Sequence, residues 1–324
     1  MRWGPAVCFS HNMRALDVER ALLGRLPVVK MMHGYFGTCV GGQKMHAFPH
    51  TVACHRRFGV ACAALYLPLH CGEWSVGKLT AQYSWARDQN ALFPQYAAIM
   101  VASGHMNREY ARHGVEPARL STNPLFATTL PSRVADAPQD FTVLFLGRMT
   151  SLKGGDVLIR AAAQASATAD IPITLTLAGD GPSRAAWEQL ASELGVRAAF
   201  TEWVSPEARD ALYRQASVVA VPSVWPEPFG LVGLEAGAHG VPAVAFDVGG
   251  IGEWLRDGIN GWLVPAAGGA RALGGVLERI VRDRRDLPAM RVGARRVAEE
   301  LSLERHVAAL EYLLARAARK VAAA

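Results

Sequence analysis

Short apolar runs alternate regularly with helical stretches from residue 141 onward. The predicted strands lie at 142–147, 173–179, 197–201, 217–222 and 242–247, and the predicted helices lie at about 154–168, 183–194, 206–215 and 229–239. This alternation is typical of a parallel sheet covered by helices on both faces. The sequence therefore predicts an α/β chain with a Rossmann-like C-terminal part, whose ligands bind outside the carboxyl ends of the strands.

The N-terminal part is less regular. Residues 26–37 contain a strand that runs into a loop, residues 97–115 read as a strand followed by a helix, and a third strand is possible near the start. A complete Rossmann-like domain has five or six strands, so we expect an incomplete N-terminal domain. The chain is then either a shortened form of a longer protein or a reduced variant of one.

The predicted domain division follows from these patterns. Residues 127–140 have no hydrophobic period and read as a linker. The last segment keeps an apolar helical stripe, at Leu303, Val307, Leu310 and Leu314. We predict an N-terminal Rossmann-like domain at 1–136, a C-terminal one at 137–305 and a closing helix at 306–324.

Composition excludes several classes of protein. A chain with 51% hydrophobic and 19% charged residues is not mainly disordered. It contains no apolar run long enough to span a membrane and no signal peptide at its start, so we expect a cytoplasmic protein.

The net charge of +6 comes from the N-terminal part of the chain. Residues 1–138 hold 14 Lys and Arg against 7 Asp and Glu, whereas residues 139–324 hold 20 against 21. An anionic acceptor or peripheral contact with an anionic membrane would explain this excess, and so would an ordinary solvated basic face. No nucleic-acid-binding signature accompanies the charge, so a nucleic-acid partner is not expected.

Four motifs lie at successive predicted strand ends. In GRMTSLKGG, residues 147–155, Arg148 and Lys153 stand between a strand and a helix, where two cations and helix amides can bind a diphosphate. Taken alone, they could be two surface cations. In AGDGP, residues 178–182, Gly179 and Gly181 permit a tight turn close to a ligand, although such a motif is often only a turn.

The third and fourth motifs contain the carboxylates and a diglycine. Glu227 precedes a predicted buried helix, and Glu235 lies within it among small apolar residues. A charge-capped helix would explain the first glutamate. An unpaired carboxylate is unfavourable in apolar surroundings, so we expect a cationic or hydroxyl-bearing partner for Glu235. Gly249 and Gly250 follow the next strand. A diglycine between a strand and a helix leaves backbone N–H groups available to donate to phosphate oxygens.

Together these motifs resemble those of the GT-B retaining glycosyltransferases of family 4, the glycosyl transferases group 1. The similar stretches are GRMTSLKGG, AGDGP, PSVWPEPFGLVGLEA with its two glutamates, and GVPAVAFDVGGIGEWLRDGINGWLV. They cover about half the chain, as the family's nucleotide-sugar-binding domain. MMHGYFGTC and VASGHMNREYARHGV also resemble family stretches. The resemblance implies a GT-B fold of two Rossmann-like domains, a hexosyltransferase activity and a role in polysaccharide biosynthesis.

The resemblance also implies roles for individual positions. Arg148 and Lys153 would hold the donor diphosphate, Glu227 the donor sugar and Glu235 the ribose. His33, in the N-terminal domain, would lie beside the donor sugar. The further donor-binding positions are Gly147, Gly179, Gly181, Trp203, Val204, Phe229, Gly230, Leu231, Gly249 and Gly250. Of these, Trp203 and Val204 would receive the base, although Glu202 stands where the family usually has glycine.

The implied reaction transfers a sugar from a UDP- or GDP-linked donor to a glycan, lipid or small-molecule acceptor, with retention of configuration. No Asp-x-Asp motif for a divalent metal is present, so we expect no metal site and no cofactor besides the donor. Two alternatives stay open. One is a nucleotide-sugar-binding module without turnover. The other is a different enzyme on the same fold, such as a nucleotide-sugar epimerase or a phosphorylase.

A cluster of cysteines at 39–71 adds one more possibility. Cys39, Cys54, Cys62 and Cys71 are interleaved with histidines, and both side chains are good zinc ligands. Their spacing lacks a short Cys-x-x-Cys pair. We therefore favour small buried thiols that pack an irregular loop over a zinc site.

Overall fold

The computed structural model describes residues 4–11, 13–132, 134 and 138–322. The chain divides into two units: unit 1 comprises Met1–Leu125 and Glu304–Ala324, and unit 2 comprises Phe126–Leu303. The predicted boundary between residues 136 and 137 and part of the predicted linker, at 133 and 135–137, lie outside the described residues. The division at 136 and 305 stays a prediction.

Unit 2 contains a six-stranded parallel sheet. Its strands are β7 (Thr142–Leu146), β8 (Thr174–Ala178), β9 (Arg197–Thr201), β10 (Val218–Val221), β11 (Ala243–Phe246) and β12 (Gly261–Val264), in the spatial order β12-β11-β10-β7-β8-β9. The five strands predicted for this part are confirmed. Buried parallel strands can be recognised in a sequence because they are nearly continuous apolar runs. The sixth, β12, was not predicted.

Four helices connect strands of this sheet: α5 (Gly155–Ala169), α6 (Arg184–Glu193), α7 (Pro206–Gln215) and α8 (Leu231–Ala238). Two more, α9 (Gly269–Arg282) and α10 (Leu287–Glu300), follow β12. In the core, the rings of Phe145 and Trp187 pack edge to face with their centroids 5.4 Å apart. A β-carbon at Gly155 would lie 2.3 Å from the Trp187 ring, so a glycine here lets α5 begin directly against that core.

Unit 1 has a four-stranded parallel sheet in the order β1-β2-β5-β6. Its strands are β1 (Cys8–His11), β2 (Val28–Met32), β5 (Ala98–Val101) and β6 (Leu120–Thr122), and a separate antiparallel pair is formed by β3 (Met45–His46) and β4 (Val52–Ala53). The helices are α1 (Leu16–Leu23), α2 (Val60–Leu65), α3 (Val76–Leu92), α4 (Gly104–Arg112) and most of α11 (Leu303–Ala322). The possible third strand at the start of the chain is thus β1, and the expected closing helix is α11.

The irregular segment at 33–75 is fixed by side chains from α3 and α4. Lys44 Nζ lies 2.6 Å from Glu109 Oε1, and both side chains are buried. Tyr110 donates its hydroxyl to the carbonyls of Gly34 and Phe36, and Asn90 donates to the carbonyl of Gly37. These bonds replace the backbone ladder that a regular element would supply.

The cysteines of this segment are free thiols that are half-buried, less buried than expected from the sequence. Burial raises the pKa of Cys71 to about 11 and also raises that of Cys62. Among the described residues, no three histidine, cysteine or carboxylate side chains lie close enough to hold one metal ion. Nor does the described part of the chain contain a helix with the length and apolarity needed to cross a bilayer.

Candidate functional site

The chain changes direction within the sheet of unit 2 between β7 and β10. It runs outward from β7 through β8 to β9, then returns to place β10 on the other side of β7. The loops that follow β7 and β10 therefore leave the same sheet edge and diverge. In open parallel sheets such a switch point forms a crevice at the carboxyl ends, where ligands bind.

A lysine and a glutamate meet at this switch point. Lys153 lies in the short helical turn after β7, and Glu227 lies in the loop after β10. Lys153 Nζ is 2.5 Å from Glu227 Oε1. The glutamate side chain is 5% exposed and the lysine side chain is 32% exposed. The pair thus presents a partly accessible cation above a nearly buried carboxylate.

The sequence motifs did not reveal two residues that support this pair. Ser223 is buried and donates its hydroxyl to the same Oε1 at 2.6 Å. Lys153 Nζ also lies 5.5 Å from the centre of the Trp225 ring, a cation–π distance. Both residues belong to PSVWPEP, so their positions were visible, but their contacts depend on the fold. Within the described residues, Glu227 Oε2 makes no hydrogen bond and is free to accept from a ligand.

The predicted diglycine packs against Glu227. The Gly250 amide donates to the Glu227 carbonyl at 2.7 Å. Gly249 has a φ of +59°, and a β-carbon there would lie 2.1 Å from that carbonyl oxygen. A side chain at Gly249 would therefore push the loop after β11 away from the loop after β10.

The two glycine motifs on the other side of the switch point also meet. The loop after β7 and the loop after β8 are joined by a bond from the Met149 amide to the Asp180 carbonyl at 2.8 Å. A β-carbon at Gly179 would lie 2.1 Å from the Gly147 carbonyl, and one at Gly181 would lie 2.4 Å from that of Met149. The loops of all four motifs thus leave neighbouring strands at one edge of one sheet.

Helix α8 begins two residues later than predicted, at Leu231. Gly230 is its N-cap in the left-handed region, with a φ of 82°, and Leu231 is the first helical residue. The Phe229 side chain is buried, and its carbonyl accepts from Trp254 Nε1 at 2.7 Å. Phe229 can therefore offer a ligand only its backbone, whereas the first amides of α8 have no partners inside the helix.

Glu235 has the partners that its sequence context required. It accepts a hydrogen bond from the Tyr213 hydroxyl at 3.1 Å, and Arg209 Nη1 lies 3.6 Å from its other oxygen. Burial, and then the charge of Glu235, raise the pKa of Tyr213 well above its usual value, so this hydroxyl stays protonated and donates. The glutamate is thus paired with α7 rather than with Lys153, and its side chain is 13% exposed.

The remaining predicted residues of unit 2 are accessible. Arg148 is exposed and forms no ion pair with any residue that the structure describes. Trp203 is 63% exposed and Val204 is half-buried, in the loop that follows β9 at the outer side of the sheet. An exposed tryptophan ring offers a flat apolar surface to a ligand.

His33 belongs to unit 1 and follows β2. Its Nε2 lies 2.8 Å from Nε2 of His11, at the end of the neighbouring strand β1. Burial lowers the pKa of His33 to about 4, helped by His11 and Lys30, so the ring is neutral at pH 7. His33 lines a cavity of about 240 Å³ within unit 1, together with Arg14, Phe36 and Trp85. The pairing with His11 gave no signal in the sequence.

Solved structures share this fold. Sucrose-phosphate synthase from Thermosynechococcus elongatus matches with a TM-score of 0.70 and 21% identity, over 99% of this chain and 75% of that chain. HepE of Anabaena, in complex with UDP and glucose, matches with a TM-score of 0.68 and 19% identity, over 95% and 77%. The two parallel sheets and these likenesses define the class: the chain has the GT-B fold, with two Rossmann-like units.

Sequence comparison gives the family. The model described as "Glycosyl transferases group 1" matches residues 129–297, just over half of the chain. The chain belongs to the glycosyl transferases group 1 family.

Individual relatives match mainly one part of the chain. The D-inositol 3-phosphate glycosyltransferase of Rhodococcus erythropolis is 39% identical over 179 residues, which are 52% of this chain and 39% of that protein. An uncharacterized glycosyltransferase of Methanocaldococcus jannaschii is 35% identical over 176 residues, 53% of this chain and 44% of that protein. The matched region thus spans less than half the length of each relative.

Proposed function

We propose that unit 2 binds a UDP- or GDP-linked sugar at its switch point and that the chain transfers this sugar to an acceptor. Transfer proceeds with retention of configuration and without a metal ion, as in family 4. The observation that carries the proposal is the Lys153–Glu227 pair, which joins a cation and a carboxylate from the two loops that flank the crevice.

Lys153 and Arg148 serve the leaving group in this proposal. When the sugar leaves, negative charge grows on the nucleoside diphosphate, and fixed cations and helix amides stabilise it. Lys153 is partly accessible, Arg148 is exposed, and α5 begins two residues after Lys153. The amides at the starts of α5 and α8 and beside Gly249 and Gly250 add partial positive charge. These groups take the role that a divalent cation has elsewhere.

Glu227 serves the sugar. Lys153 and Ser223 both occupy Oε1, which leaves Oε2 for sugar hydroxyls. Lys153 and Ser223 also hold the carboxylate in one orientation, which places it near the positive charge that develops on the sugar ring. A single side chain can then both recognise the donor and stabilise the transition state.

Glu235, Trp203 and Val204 serve the nucleoside. Tyr213 and Arg209 hold Glu235 in place and leave its side chain slightly exposed, so it can accept from ribose hydroxyls, and Trp203 offers a surface for the base. The roles of these residues and of His33 rest on the resemblance to family 4. The UDP bound in the Anabaena protein and the glycosyltransferase names of the relatives support the same class of donor.

The test is product analysis with UDP-glucose, UDP-N-acetylglucosamine and GDP-mannose as donors and a panel of sugars and lipids as acceptors. We expect one donor to give a glycoside with the anomeric configuration of the donor, as read by NMR. EDTA should leave the rate unchanged. An inverted product, or a rate that EDTA abolishes and Mg²⁺ restores, would contradict the mechanism. Donor binding by a folded chain without any transfer would instead identify a binding module.

A further inference from the structure

A row of buried polar side chains joins helices α7 and α8 and ends at Glu235. Tyr213 on α7 and His239, the C-cap of α8, are 0% and 3% exposed. Their rings stack with centroids 5.0 Å apart and an angle of 29° between the ring planes. The buried Oδ1 atom of Asp210 lies 3.4 Å from Nε2 of His239. The row thus runs from Asp210 through His239 and Tyr213 to the carboxylate of Glu235.

The spacing of residues on the two helices builds this row. Arg209 and Tyr213 are four positions apart on α7, and Glu235 and His239 are four positions apart on α8 and its C-cap, so each pair shares one helix face. Tyr213 donates to Oε2 of Glu235 at 3.1 Å, and Nη1 of Arg209 lies 3.6 Å from Oε1. Each carboxylate oxygen therefore has one protein partner, and each has a further lone pair with which to accept from a ligand.

The two stacked rings are uncharged at pH 7. Burial lowers the pKa of His239, and Asp210 only partly opposes this, so the imidazole is neutral. The Tyr213 hydroxyl keeps its proton, because burial and the charge of Glu235 raise its pKa well above the usual value. The stack thus adds no charge beside Glu235. Its contribution is one hydrogen-bond donor in a fixed position.

A carboxylate that is held in place distinguishes ligands more sharply than one that can turn. When a ligand lacks the hydroxyl that the carboxylate should accept from, a fixed carboxylate loses water and gains no partner. A carboxylate that can rotate towards solvent keeps its water and tolerates such a ligand. The support behind Glu235 therefore bears on which nucleotide sugars unit 2 accepts.

We propose that Tyr213, braced by His239 and Asp210, is the positioning residue that makes unit 2 select ribonucleoside over deoxyribonucleoside diphosphates. This inference rests on the proposed function, which assigns the ribose to Glu235, and it adds the source of the selectivity. Tyr213 acts only through Glu235, because its side chain is fully buried and cannot touch a ligand.

The test is calorimetric titration of the full chain with uridine and guanosine diphosphates and with their 2′,3′-dideoxy counterparts. We expect the parent to bind one ribonucleotide at least about tenfold more tightly than its dideoxy counterpart, since the hydroxyls donate to a carboxylate. Tyr213→Phe should lower this ratio about fivefold, the effect of one hydrogen bond. Binding of the dideoxy nucleotide should stay within about twofold of the parent's, because that ligand does not use Glu235.

Three further variants show where the effect arises. Tyr66→Phe is the matched control: it removes a buried hydroxyl that donates to Gln82 in unit 1, and it should leave both affinities unchanged. His239→Leu removes the stacked ring and should lower the ratio about threefold. Glu235→Ala should bind both nucleotides equally, and adding Tyr213→Phe to it should have no further effect on the ratio.

A Tyr213→Phe ratio equal to the parent's would overturn the inference, as would an equal loss of affinity for both nucleotides, which would mark a packing role alone. A parent that binds ribonucleotide and dideoxynucleotide equally would overturn it and leave nucleotide binding by unit 2 intact. A parent that binds neither would overturn the proposed function and this inference with it. Should Tyr213→Phe not fold, the ratios of His239→Leu and Glu235→Ala decide the outcome.

Discussion

Trp254→Ala is expected to lower the free energy of unfolding of unit 2 by about 3–5 kcal/mol. The side chain is 1% exposed and donates Nε1 to the Phe229 carbonyl at 2.7 Å. A β-carbon at Gly233 would lie 1.9 Å from the Trp254 ring, so the ring packs directly on the backbone of α8. Its removal leaves a cavity and an unpaired carbonyl beside the start of that helix. Equilibrium unfolding in urea measures the change.

The matched control for this prediction is Trp203→Ala. The Trp203 side chain is 63% exposed, so its removal should change the free energy of unfolding by less than about 0.5 kcal/mol. Under the proposed function it should nevertheless weaken donor binding, since it removes the surface for the base. If Trp254→Ala costs less than about 1 kcal/mol, the described packing beneath the loop after β10 is wrong.

Glu227→Gln is expected to lower the rate of sugar transfer about 100- to 1000-fold, a loss of about 2.7–4 kcal/mol of transition-state stabilisation. The substitution keeps the shape of the side chain but removes the charge that faces the sugar. The fold should survive, because the Lys153 side chain is 32% exposed and water can solvate its charge. Rates at saturating donor, measured alongside a melting curve, separate lost chemistry from lost structure.

Ser223→Ala provides the comparison for Glu227. It removes one hydrogen bond to Oε1 but leaves the carboxylate and its ion pair with Lys153 in place. We expect a fall of only about fivefold, the effect of one hydrogen bond of about 1 kcal/mol. A Glu227→Gln rate within a few-fold of the parent would remove this carboxylate from the mechanism.

The sequence predicted the sheet of unit 2 well because most of its strands, the edge strand β9 excepted, are largely buried. Such strands read as unbroken apolar runs, as at 142–146 and 218–221. The strands that escaped prediction are short or lie at edges. Leu120–Thr122 is only partly buried, and Gly261–Val264 begins with a glycine inside a longer motif, so neither has a clear period.

The order of the motifs along the chain predicted a shared sheet edge, but not the contacts across it. Lys153 and Glu227 are 74 positions apart, and they meet only because β10 returns to the side of β7 opposite β8. Strand order depends on long-range packing, which no local pattern encodes. Glu235 illustrates the same limit: its context required a cation or a hydroxyl, but only the fold identifies Arg209 and Tyr213.

Under the proposed function, the strand-end loops of unit 2 bind a nucleoside diphosphate sugar at the switch point. Calorimetric titration of UDP- and GDP-linked sugars into the parent chain and into Arg148→Ala, Lys153→Ala and Arg160→Ala measures this binding. Arg160 is an exposed cation on α5 and serves as the control. We expect saturable binding of one donor class, unchanged in Arg160→Ala and weakened at least about tenfold in each of the other two variants, since a charge-assisted contact contributes about 1.5–3 kcal/mol. Binding by Arg148→Ala and Lys153→Ala that equals the parent's would contradict it.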